Sequence, residues 1–270
     1  MSKINAVRLI NVNYNNNAYR ISDETLHFNG KSTLISLQNG GGKSVLVQML
    51  TAPFVHPKYR NTKDRLFESY FTTNKPSFIL VEWALDQGAG YVLTGLMVRK
   101  SQDMEEDRKE NLDIIGIVSE YQSPCIQDIH HLPVVEKGKK EMILKNFNSC
   151  RQLFETYKKD RDMKFFYYDL TNYAQSRQYF NKLMEYQINY KEWETIIKKI
   201  NLKESGLSDL FADCKDEKGL TEKWFLEAIE SKLNKDKNRI KEFQSILEKY
   251  AGQYKDCLLY TSPSPRDPKT

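Results

Sequence analysis

Cysteine is scarce in this chain. The four present, Cys125, Cys150, Cys214 and Cys257 among 270 residues, lie far apart and form no Cys-x-x-Cys pair. Neither a zinc site nor a disulfide framework is therefore expected. Long apolar runs are also missing. Nothing approaches the roughly 18 consecutive apolar residues of a membrane-spanning helix, and the opening Met1-Ser2-Lys3-Ile4-Asn5 lacks the hydrophobic core of a secretory signal. A soluble, cytoplasmic protein with no membrane partner is the expectation. Nor is charge of one sign in large excess. The formal net charge of +5 permits contact with a nucleic-acid backbone without establishing it. With 40% hydrophobic and 29% charged residues, the balance is that of a globular chain and not of a disordered one. The length allows one sizeable domain with an appendage, and a core of that size needs no disulfides.

Against these absences, one stretch names a specific chemistry. Residues 38 to 44 read Gln38-Asn39-Gly40-Gly41-Gly42-Lys43-Ser44, between the apolar run Thr33-Leu34-Ile35-Ser36-Leu37 and Val45-Leu46-Val47-Gln48-Met49-Leu50. That order predicts a strand, a glycine turn and a helix start, the context of a phosphate-binding loop. Gly40, Gly41 and Gly42 let the backbone turn sharply with its N–H groups inward. Those donors and the positive end of the helix make an anion nest for the β- and γ-phosphates. Lys43 brings a point charge to the phosphates, and Ser44 brings a hydroxyl to Mg²⁺. The expected ligands are ATP and Mg²⁺, held by Gln38, Asn39, Gly40, Gly41, Gly42, Lys43, Ser44 and Val45. Leu37 stands where the usual pattern has its first glycine, which eases the exit from the strand. The cradle is intact and only its approach is altered. The rival reading is a glycine-rich hairpin that happens to precede Lys-Ser.

Three short strands are predicted before the loop: Ala6 to Tyr14, Glu24 to Gly30 and Lys31 to Leu37. Together with Asn39-Gly40-Gly41-Gly42-Lys43-Ser44, they resemble the opening of the SMC, SbcC and MukB-like ATPases, whose third strand runs into Asn-Gly-x-Gly-Lys-Ser. The resemblance covers residues 1 to about 100 and beyond that rests on architecture. It implies an α/β P-loop NTPase fold, the N-terminal half of an ABC-type head, with a helical lobe leading into the start of a coiled coil. In that family the head is split, with the signature and Walker B motifs at the far C-terminus. The implied partners are the C-terminal half-head of the same protein, a second copy joined through the heads, and DNA. The implied role is chromosome segregation, DNA repair or defence against foreign DNA.

Downstream, Pro57 to Arg65 is polar and basic. The family carries a phosphate- or DNA-contacting loop near this place, which makes Arg60 and Arg65 candidates; a solvated surface loop is the plain alternative. Ser77 to Leu85 and Tyr91 to Val98, joined through Asp86-Gln87-Gly88-Ala89-Gly90, predict a β-hairpin, with Glu82 as an outward-facing strand residue. An acidic surface loop at 102–107 and a strand at 112–118 follow, and His130 and His131 read as polar surface residues. Phe165-Phe166-Tyr167-Tyr168-Asp169 has the outline of a Walker B strand, but no acid follows Asp169 to polarise water. Helices are predicted at 177–186 and 190–200, with Gln187 a candidate loop glutamine.

From Leu226 the apolar positions fall at 226, 229, 233, 240, 243, 247, 250 and 254, in steps of three and four with only Asp236 breaking the seam. This predicts the start of a coiled coil, with a single amphipathic helix as the rival. Residues 257 to 270 abandon that pattern and carry Pro263, Pro265 and Pro268. They resemble a translated sequencing-adapter tail, and the natural protein is expected to continue past Asp256. The expected organisation is a P-loop ATPase half-head with helical lobe at 1–220, coiled coil at 221–256 and a foreign-looking tail at 257–270. Two other functions stand beside the leading one: a self-contained P-loop NTPase or kinase with Asp169 as its Mg²⁺ ligand, and a non-catalytic coiled-coil scaffold.

Overall fold

The computed structural model describes residues 2–14, 18–38, 41–61, 65–101, 111–137 and 142–201. The chain divides into two units, 1–204 and 205–270, and every described residue belongs to the first. The expected coiled coil at 221–256, the tail at 257–270 and the acidic stretch at 102–107 lie outside the described residues.

Among the described residues, eight strands and four α-helices follow one another as β1 (Lys3–Tyr14), β2 (Tyr19–His27), α1 (Lys43–Thr51), β3 (Ser77–Ala84), β4 (Tyr91–Lys100), β5 (Leu112–Tyr121), β6 (Val135–Lys137), β7 (Met142–Leu144), α2 (Phe147–Lys159), β8 (Lys164–Asp169), α3 (Tyr173–Glu185) and α4 (Tyr190–Asn201). Six strands form one sheet in the order β2-β1-β3-β4-β5-β8, and β6 and β7 pair separately. Every neighbouring pair in the large sheet is antiparallel.

The expected α/β P-loop NTPase fold, an ABC-type half-head, is therefore overturned. Such a fold is built on a parallel sheet, and this sheet has no parallel pair; among the described residues no coiled-coil helix occurs either. The reason is local. Parallel neighbours need a crossover of a dozen or more residues, whereas β3 returns as β4 after six residues and β1 pairs with its successor β2. The stretch predicted as a third strand, Lys31 to Leu37, is not a strand.

Strand side chains alternate between two faces, and both are apolar. Val7, Leu9, Ile79, Val81, Trp83, Val92, Leu96 and Val118 pack with α1 (Val45, Met49), with Phe54 and with α3 (Tyr179, Phe180, Leu183). Ala6, Ile10, Phe78, Leu80, Leu93, Met97, Ile115 and Ile117 pack with α2 and with Ile129, Leu132 and Val134. Burial on both sides is why β3 reads as the unbroken run Phe78-Ile79-Leu80-Val81.

The helix α2 was missed in the sequence, although its signal is there. Asn146 caps it, its side-chain oxygen accepting the Ser149 N–H at 2.8 Å, and Phe147, Cys150, Phe154 and Tyr157 fall on one stripe. The helices predicted at 177–186 and 190–200 are found as α3 and α4, α3 starting four residues earlier behind an Asn172 cap. Their junction shows what Gln187 does. It adopts φ 60° while the N–H groups of Ile188 and Gln187 donate to the carbonyls of Leu183 and Met184. That is the Schellman end of a helix, so Gln187 stops α3.

The segment from Gln122 to Val134 closes the second face around Asp128, whose side chain is 4% exposed. Its carboxylate accepts the N–H groups of Cys125, His130 and His131 and faces the His131 ring nitrogen at 2.7 Å. Burial alone would raise its pKa; the bonds from His131 and the main chain outweigh that and hold it below the usual carboxylate range. A depressed carboxyl contributes stability that is complete above its unfolded value, about 3.9, and is lost as pH falls through its folded value. Asp128→Asn is thus expected to be less stable than the parent near neutral pH, with the gap closing as pH drops below about 4. Urea unfolding midpoints across that range check this, and a gap independent of pH would count against it.

Candidate phosphate-binding loop

The loop joins the unpaired stretch 31–38 to α1. Asn39 and Gly40 lie outside the described residues, while Gln38, Gly41, Gly42, Lys43, Ser44 and Val45 lie within them. The Gly41 N–H donates to the Gln38 carbonyl at 2.9 Å, and a β-carbon on Gly41 would come within 2.9 Å of that same oxygen. Gly42 has φ 85°, in the left-handed region, and is the N-cap of α1. Two successive positions thus exclude side chains, one by space and one by backbone angle.

The first intrahelical bond runs from the Leu46 N–H to the Gly42 carbonyl at 2.8 Å. The amides of Lys43, Ser44 and Val45 therefore sit at the positive end of α1, and no acidic side chain occupies its first turn. Val45 is buried and fixes this end of the helix to the sheet, whereas Gln38, Lys43 and Ser44 are exposed. The Lys43 ammonium folds back along the loop, donating to the carbonyls of Leu37 at 2.7 Å and Gln38 at 3.2 Å. Among the described residues, no group of three or more His, Cys, Asp or Glu could hold a metal ion. A cation here would rest on the Ser44 hydroxyl and on oxygens of the ligand.

Two aromatic residues beside the loop went unnoticed in the sequence. Tyr14, at the end of β1, lies 3.7 Å from where a Gly42 β-carbon would stand, and its ring stacks on Tyr19 at 5.3 Å between centroids. Their only sequence signal is position, one on each side of the β1–β2 turn. Also unforeseen is Gln48 on the buried side of α1. Its amide donates to the Arg60 carbonyl at 2.7 Å and its oxygen accepts from the Tyr70 hydroxyl at 2.7 Å. The segment after α1 is thereby tied to the helix that starts at the loop.

Other candidates are placed elsewhere. Arg60, expected to reach phosphate or DNA, is 1% exposed; its Nε donates to the Ala52 carbonyl at 3.1 Å and its guanidinium lies over Phe67. Arg65 is exposed. Glu82, expected to face outward, is 5% exposed and accepts from Asn5 Nδ2 at 2.6 Å and from the Tyr121 hydroxyl. The alternation rule failed there because β3 is covered on both of its faces. His130 and His131 are exposed, as predicted. Asp169 ends the edge strand β8, four strand spacings or about 19 Å from β1. Its carboxylate accepts the Thr171 N–H at 3.0 Å and hydroxyl at 2.6 Å, so it shapes the turn into α3 and is not brought to Ser44.

The left-handed Gly42 gives a direct check. Gly42→Ala is expected to cost about 1–2 kcal/mol, read as a drop in Tm of about 2–4 °C per kcal/mol in a domain of this size. An unchanged Tm would show that the loop does not need that backbone angle.

No protein-family model matches the chain and no curated protein matches it.

Proposed function

We propose that residues 38–45 bind ATP with Mg²⁺, and that the chain is the ATP-binding N-terminal part of an SMC-like protein acting in the cytoplasm on DNA, in chromosome maintenance, repair or defence. The observation that carries this is the left-handed Gly42 turning the chain into α1 while Lys43 folds over the turn. Oriented amides, a helix start and one ammonium at a single point favour a polyphosphate. Lys43 would hold the β- and γ-phosphates, Ser44 would hold the magnesium ion, and the Tyr14 ring offers a face to a base. Bound ATP would supply free energy only on hydrolysis of its terminal phosphoanhydride to ADP and phosphate. The wider SMC-like role rests on the resemblance of residues 1 to about 100 and not on the antiparallel sheet.

A partner is favoured by the stretch before the loop. Leu34 is 95% exposed, and Ile35 and Leu37 are 39% and 37% exposed. Thr33-Leu34-Ile35-Ser36-Leu37 has the β-branched and apolar composition of a strand, and nothing among the described residues pairs with it. The C-terminal half of the same protein, with a second copy joined through it, is the proposed cover. The carboxylate that positions the attacking water would come with that half; no catalytic residue is assigned to this chain. Asp169, the Mg²⁺ ligand of the self-contained alternative, lies too far from Ser44 to favour that alternative.

Calorimetry tests the site. The chain is expected to bind Mg-ATP weakly, Lys43→Ala to abolish binding by removing the charge at the phosphates, and Ser44→Ala to remove the dependence on Mg²⁺. Equal affinity of Lys43→Ala and parent would remove the assignment. Tyr14→Ala is expected to weaken ATP while leaving inorganic triphosphate unchanged, and equal losses for both would deny Tyr14 a role at the base.

A further inference from the structure

The sheet has two edge strands, and they differ. β2 is exposed along both faces and carries Arg20, Asp23 and Glu24, charges of the kind that keep edge strands from pairing. β8 reads Lys-Phe-Phe-Tyr-Tyr-Asp and has no charge between Lys164 and Asp169. It lies between two helices. On one face Phe165 and Tyr167 pack with Phe154 of α2, at 5.4 and 6.4 Å between ring centroids. On the other, Tyr168 packs with Tyr179 of α3 at 5.9 Å. Between the helices the outer edge of β8 forms the floor of a cavity of 340 Å³, walled by Arg151 and Lys158 of α2 and by Gln175 and Gln178 of α3. That is within the range of ligand pockets, about 300–1,000 Å³.

Main-chain groups along an antiparallel strand point alternately to either side. The Leu170 N–H donates inward to the Ile114 carbonyl at 2.9 Å, and the Asp169 N–H points outward, where the Gln175 side-chain oxygen accepts it at 2.9 Å. By the same alternation Tyr167 and Phe165 offer their main-chain groups to the cavity side. A side-chain amide thus takes the place of a strand at one rung, and among the described residues nothing pairs with the next rungs.

The side chains lining the cavity include two cations, Arg151 and Lys158, and one acid, Asp169. Arg151 and Lys158 stand two helical turns apart on α2, and neither makes an ion pair among the described residues. The nearby acids are engaged: Glu155 accepts from the Tyr167 hydroxyl and pairs with Lys159, and Asp169 is taken by Thr171.

We propose that the β8 edge is a docking groove for an extended peptide of another protein, added as a further antiparallel or parallel strand, with Asp or Glu side chains set toward Arg151 and Lys158. Main-chain bonds to the outward groups of Phe165 and Tyr167 supply affinity, and the two cations supply selection. The groove is independent of the phosphate loop, which belongs to the other end of the strand order.

A random octapeptide display library selected on the full chain tests this, with the doubly substituted R151E/K158E chain as the comparison. Selected peptides are expected to carry Asp or Glu at alternate positions, to bind the comparison chain about tenfold more weakly, and to lose binding when alternate backbone nitrogens are methylated. Both substituted side chains are exposed, so thermal melting confirms that the fold is kept. The methylated peptides test the edge on the parent chain itself. Failure to enrich acidic peptides, equal affinity for the two chains, or binding indifferent to N-methylation would each overturn the proposal. So would sedimentation showing that the unmixed chain dimerises and that R151E/K158E abolishes the dimer, which would make the occupant a second copy.

Discussion

Phe78, Leu80 and Glu82 point to one side of β3, and Ile79, Val81 and Trp83 to the other, all six buried. A central strand apolar on both sides requires cover on both sides, and most of the remaining architecture answers to that. On one side the cover is α1, Phe54 and α3, joined by α4 through Trp193 against Phe54 and Trp83. On the other it is α2 and the segment fixed by Asp128. Burying a large apolar side chain is worth about 1.5–3 kcal/mol, so a sheet with so many of them on each face leaves little freedom in where the helices lie.

The candidate phosphate-binding loop inherits its position from this constraint. Val45 and Met49 are members of the first core, so α1 lies on the sheet before any ligand is considered, and its start is held where Gly42 turns the chain. Gln48 extends the same logic, since a buried amide must find partners and those it finds belong to the segment after α1. Arg60 is drawn inward by that packing. A residue that looked like a surface cation became part of the support beneath the helix.

Much of this was legible in the chain. The Gly-Gly-Gly-Lys-Ser stretch, the hairpin of β3 and β4, the strand at 112–118 and the helices α3 and α4 announce themselves through local chemistry: glycines where the backbone must turn, and apolar residues at a period of two or near 3.6. The helix α2 was equally legible, from its Asn146 cap and its stripe of Phe147, Cys150, Phe154 and Tyr157. Which segments find a partner in the sheet was not. Lys31 to Leu37 has the composition of a strand, but a strand exists only where a neighbour supplies hydrogen bonds, and none is present among the described residues.

By itself the sequence determined the turn at Gly41 and Gly42, the side chains of Lys43 and Ser44 one and two residues beyond it, and the existence of most elements, because each depends on residues close together in the chain. Tertiary structure alone decided the order of the strands in the sheet, that Glu82 and Arg60 are buried, that Asp169 closes the turn into α3, that Tyr14 stands beside Gly42, and that the edge of β8 opens between two helices. Those outcomes depend on which segments become neighbours in space. Such choices are set by summed burial across the molecule, for which no short stretch of sequence carries the signal.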